Sequence, residues 1–117
     1  MKAVYKMHID CGRMGELEGV FVATKKQVEK LLSSGVEVYF GEVLGKHSEV
    51  YRYIEDKDIK MVSDDQNVVD VIEKHGLQSG YNPFEYTSVN FDYESIGLDE
   101  DCSVEEIIDK LIEKEAN

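Results

Sequence analysis

Polar and apolar residues alternate over 3–9, with Ala3, Tyr5, Met7 and Ile9 on one side, Lys6 and His8 on the other, and Val4 out of phase. A period of two is that of a strand with one buried face. Further β-rich runs follow at 19–23, 36–43, 46–54 and 58–62, with a shorter one at 87–91. Between these runs the period lengthens. Val28, Leu31 and Leu32, then Val68, Val69 and Ile72, then Val104, Ile107, Ile108, Leu111 and Ile112 recur at helical spacing. Each stripe is preceded by a Ser or Thr with Gln or Glu three residues on: Thr24/Gln27, Ser63/Gln66 and Ser103/Glu106. That pairing lets a hydroxyl and an amide or carboxylate satisfy unpaired N–H groups at a helix start in both directions. Gly35 and Gly76 stand where a left-handed residue closes the first two helices.

The predicted order is ββαβββα, a short strand, and a final helix. Consecutive strands with short links favour antiparallel pairing, so the expected class is α+β: a mainly antiparallel sheet of about five strands with three helices packed on one face. Leu44-Gly45 is the expected tight turn between the third and fourth strands. With 117 residues, 42% of them hydrophobic, the chain suits one core, and 1–117 reads as one domain. No stretch reaches the roughly 20 apolar residues of a membrane span, and no apolar run with a small-residue cleavage site directs export. Cys11 and Cys102 lie far apart without the close spacing of a zinc site, which suits a reducing, cytoplasmic setting.

Charge narrows the partners. The net charge is −12, and residues 92–117 hold ten acids against Lys110 and Lys114, a net of −8. Such a surface repels phosphate backbones and anionic membranes and attracts cationic protein. No nucleic acid and no membrane is therefore expected as a partner. The segment before the last helix also gathers Tyr81, Phe84, Tyr86, Phe91 and Tyr93. Aromatic side chains bury large area at low entropic cost, so this segment is a candidate interface for a partner protein or a second copy.

Candidate chemistry centres on two His-x-acid pairs. His47 and Glu49 share a face of the fourth strand with Tyr51 and Tyr53, beside Lys46; His8 and Asp10 share the polar face of the first. Adjacent first and fourth strands would bring His8, Asp10, His47 and Glu49 together as ligands for zinc, manganese or iron. Lys25 and Lys26 open the first helix, where the backbone field already favours an anion, and with Lys46 they are the candidate anion contacts. Cys11 sits in a glycine-containing loop two residues from the cation of Arg13, which makes it a candidate nucleophile, but no hydrolase signature surrounds it. Gly12, Gly15 and Gly19 match neither a dinucleotide nor a phosphate loop, and no cofactor is expected.

The run from Val38 to Val50, Ser63-Asp64-Asp65 and Gly80-Tyr81-Asn82-Pro83 together resemble a group of small bacterial and phage proteins to which no activity is attached. The resemblance implies an accessory role and carries no catalytic residue. The leading expectation is thus a non-enzymatic protein-interaction domain. Its rival is a small anionic-ligand-binding or metal-dependent hydrolase domain using the His/acid cluster.

Overall fold

The structure, a computed structural model, describes residues 1–44, 49–88 and 91–116. Its class is α+β, as the periodicity predicts. Strands β1 (Lys2–Asp10) and β2 (Glu16–Thr24) form a long antiparallel hairpin, Lys2 opposite Thr24 and Asp10 opposite Glu16. Helix α1 (Lys25–Ser33) leads to β3 (Glu37–Gly41) and β4 (Val50–Tyr53), and β5 (Ile59–Ser63) precedes helix α2 (Gln66–Lys74). A two-residue strand, β6 (Ser79–Gly80), and helix α3 (Val104–Ala116) complete the order.

The strands divide between two sheets: β5, β1, β2 and β6 pair in that order, and β3 pairs separately with β4, all antiparallel. The β3–β4 ladder ends at Gly41 opposite Val50, and residues 46–48 of the expected 46–54 strand lie outside the described residues. The expected Leu44-Gly45 turn falls partly outside the described residues. Of the expected 87–91 strand, Thr87 makes a bridge to Tyr39 and residues 89 and 90 lie outside the described residues; the last position of the four-stranded sheet goes to Ser79–Gly80. Glycine is required at that join. A Cβ on Gly19 would lie 2.0 Å from the carbonyl oxygen of Tyr81, so only a bare backbone lets the 79–81 segment lie against β2.

Helices α1 and α3 cover one face of the four-stranded sheet. There Ala3, Tyr5, Met7 and Ile9 of β1 and Leu17, Phe21 and Ala23 of β2 meet Val28, Leu31, Val104, Ile107 and Ile108, with Val36, Val38, Phe40 and Val50 closing the core from the second sheet. Helix α2 does not join them, contrary to the expectation of helices on one face. It lies across the other face, where Val4 and Val69 are both 1% exposed and Lys2 pairs with Glu73 at 2.9 Å. This explains why Val4 breaks the alternation: both faces of β1 are buried at that level. Beyond α2, the same face bears Lys6, His8 and Asp10 in solvent. No described helix is long and apolar enough to cross a membrane.

Candidate functional site

Where the end of β1 comes beside β4, a cleft of about 540 Å³ opens at the surface. His8, Ile9 and Asp10 form one wall, Tyr51, Arg52 and Tyr53 with Glu37 the other, and Glu55, Lys57 and Asp58 from the turn before β5 the floor. Strand parity decides what each residue offers. Val50 and Ile54 point inward and are buried, while Tyr51 and Tyr53 point out and are 39% and 55% exposed. Arg52 shares the inward parity yet carries a charge. It is half-buried, and its Nε is shielded from solvent with no acceptor among the described residues. Buried guanidinium N–H groups are nearly always matched by acceptors, so this is an unmet demand at the cleft wall.

The cleft acids are held by local structure. Asp10 accepts a hydrogen bond from the Gly12 N–H at 2.8 Å, which fixes the chain where β1 turns toward β2. Asp58 accepts from the Glu55 N–H at 2.9 Å, the Asp58 N–H returns a bond to the Glu55 backbone carbonyl at 2.9 Å, and Lys57 lies 3.3 Å from the Glu55 carboxylate. The turn thus presents its charges in a set arrangement. Behind the tyrosine wall, Glu49 accepts from the Tyr51 hydroxyl at 2.8 Å and the Tyr39 hydroxyl at 2.9 Å. Those two donors lower the Glu49 pKa, and the carboxylate raises both tyrosine pKa values in return.

Of the expected site residues, His8 and Asp10 come to the cleft together. Glu49 does not line it, and His47 and Lys46 lie outside the described residues. The first and fourth strands meet across the cleft without pairing: β1 pairs with β2 and β5, and β4 belongs to the other sheet. Among the described residues His8 instead meets Glu16 and Glu18, with Nε2 3.4 Å and 3.7 Å from their carboxylate oxygens. Lys25 is engaged by Asp64 at 3.1 Å, and Lys26 is exposed on the first turn of a helix already capped by Thr24.

The aromatic segment is largely structural. Phe84 is 2% exposed and meets Phe21 edge-on, and Tyr81 and Tyr86 are half-buried around Phe40. Phe91 and Tyr93 are half-buried against the core. Cys11 and Cys102 are both buried free thiols, and burial pushes the Cys102 thiol pKa up. Two features escaped the periodicity reading. Glu16 and Glu18 belong to a strand that begins three residues before its β-rich run, and the alternation of Leu17 with Gly19 and Phe21 marks that extension. Arg52 sits between Val50 and Ile54 at inward parity, a cation where the pattern calls for an apolar side chain. Comparisons with protein-family models, curated proteins and solved structures return no match.

Proposed function

We propose that this chain is a non-enzymatic, cytoplasmic protein-interaction domain that grips an extended, basic segment of a partner protein in the cleft between β1 and β4. The observation that carries the reading is the run Tyr51-Arg52-Tyr53, which lines one open cleft with two exposed rings and an arginine whose Nε has no acceptor among the described residues. Tyr and Arg dominate the energetics of protein interfaces, because they bury large area while keeping a directional polar end. A peptide backbone supplies carbonyl acceptors for a guanidinium, and its cationic side chains stack on tyrosine faces. Asp10, Glu37, Glu55 and Asp58 on the cleft and a net charge of −12 favour a basic segment. The same charge disfavours nucleic acid. The accessory role implied by the resemblance to small bacterial and phage proteins is in keeping with this reading.

Titrating the isotope-labelled chain with short lysine-rich, glutamate-rich and uncharged peptides tests the reading. The lysine-rich peptide should shift amide signals at 8–10 and 51–58 and lose its effect at high salt. Replacing Arg52 with Met should weaken binding by about 2 kcal/mol, the scale of an interface hot spot. Shifts that fall elsewhere, or equal shifts from the glutamate-rich peptide, would overturn it.

A further inference from the structure

We infer that His8, Glu16 and Glu18 form a binding site for one divalent first-row transition ion, zinc being the best fit, on the open face of the β1–β2 hairpin. The strand register builds it. His8 stands directly opposite Glu18, and Glu16, two residues before Glu18, projects from the same face. One ligand atom from each of the three side chains lies within 4.8 Å of the others. A tetrahedral zinc holds its nitrogen and oxygen ligands at about 2.1 Å, which sets neighbouring ligand atoms about 3.4 Å apart. The separations from His8 Nε2 are 3.4 Å to Glu16 and 3.7 Å to Glu18. Those distances exceed the usual range of an N–H···O hydrogen bond, about 2.7–3.2 Å, and match two ligands sharing an ion.

Charge points the same way. Glu16 and Glu18 bring two carboxylates to one spot, and neither meets a lysine or arginine in an ion pair among the described residues. A bound cation relieves that repulsion. One imidazole with two carboxylates selects zinc, manganese or iron over magnesium, which prefers an all-oxygen shell and keeps its water. The three side chains leave coordination positions open to water or to a partner's side chain. Asp10, opposite Glu16, is the nearest further carboxylate along the hairpin, although one of its oxygens is committed to the Gly12 N–H. Because His8 also lines the cleft, the ion would sit at its rim.

This inference does not rest on the peptide reading of the cleft, since zinc titration of the chain alone needs no peptide. Calorimetry with zinc chloride should show one equivalent bound, and magnesium should not compete. His8→Ala and Glu18→Gln, both changes at exposed positions, should each weaken zinc at least about tenfold, no less than the loss of a supporting group around a metal ligand. Circular dichroism of both variants checks that the fold is intact. Manganese added to the labelled chain locates the ion by paramagnetic broadening, and that readout separates this site from the buried thiols of Cys11 and Cys102. Broadening should centre on residues 8, 16 and 18. Unchanged zinc affinity in His8→Ala, or broadening centred on another part of the chain, would overturn the site.

Discussion

Helices α2 and α3 start from similar sequence signals and end in different environments. Both carry an apolar stripe behind an expected Ser-x-x-Gln or Ser-x-x-Glu box. Helix α3 presses its stripe into the core, with Val104, Ile107 and Ile108 all 0% exposed. Helix α2 buries Val69 alone to that degree, while Val68 is 37% and Val71 50% exposed, with Leu77 beyond its end at 54%. The difference lies in what each helix meets. Helix α3 meets an apolar sheet face and α1, to which Gln27–Asp109 at 2.9 Å and the Lys30–Glu115 ion pair tie it. Helix α2 meets the opposite face, where Val4 is the fully buried residue of β1 and the others on that face, Lys2, Lys6, His8 and Asp10, are polar. Amphipathicity states that a helix has a side to bury; the partner surface sets how much of that side is buried.

Substitutions along the two stripes should separate them. Ile107→Ala leaves a cavity under α3 and should destabilise the protein by about 2–5 kcal/mol in denaturant unfolding. If α3 were a loosely docked appendage, the loss would be far smaller and the comparison would fail. Val69→Ala removes two buried carbons from a thinner layer, and about 1–2 kcal/mol is expected. Val71→Lys, at a half-exposed position, should change stability by no more than about 0.5 kcal/mol. A larger loss there would mean that α2 packs against something that the isolated chain does not show.

Acid sharpens the contrast within α3 itself, and calorimetric melting across pH reads it. The Lys30 ammonium holds the Glu115 pKa below its ordinary 4.5, first by hydrogen bonding and then by charge. That contribution is present above the ordinary value and is lost as pH falls through the lowered one. Glu105 runs the other way, because burial and then the neighbouring acids Asp109, Glu85 and Glu106 raise its pKa. Its ionised form therefore costs stability at neutral pH, and protonation removes that cost. Glu105→Gln should raise the melting temperature at pH 7, with the gain shrinking as the solution is acidified, whereas Glu115→Gln should lower it at pH 7 and lose its effect in acid. Matching profiles for the two variants would show that the ion pair to α1 does not distinguish these ends of the helix.

The capping signals show how far local sequence reaches. Thr24 with Gln27 forms the reciprocal box at both bonds, 3.0 Å and 2.9 Å, and Ser103 with Glu106 does so at 3.2 Å and 3.3 Å. Ser63 with Gln66 does not. Ser63 still belongs to β5, Asp65 caps α2 by accepting from the Asn67 N–H at 2.9 Å, and Gln66 reaches across to the Lys2 carbonyl at 2.9 Å. The stretch Ser63-Asp64-Asp65 offers alternative cap residues within one turn, and a tertiary bond to β1 selects between them. The class of the fold was legible because it follows from periods of two and of 3.6. The division into two sheets was not, because alternation within a strand is silent about which strand lies beside it.

The candidate site divides along the same line. His8 and Asp10 are visible as a pair because both lie on one strand. Their neighbours Glu16 and Glu18 depend on the register of β1 against β2, and Tyr51, Arg52 and Tyr53 reach the cleft only through contact between separate sheets. Long-range geometry of that kind leaves one local mark here, the charged Arg52 among inward apolar positions.

The placement of α3 also bears on the order in which the protein can be made. Strands β1 and β2 leave the ribosome well before α3, with Met7, Leu17 and Phe21 facing a surface whose cover includes Val104, Ile107 and Ile108, encoded far downstream. Local hairpin pairing can form at once, but the sheet's greasy side stays wet until α3 has been synthesised and docked on α1. For the nascent chain, closing the core waits on α3, and the acidic charge around that helix arrives with the segment that covers the sheet.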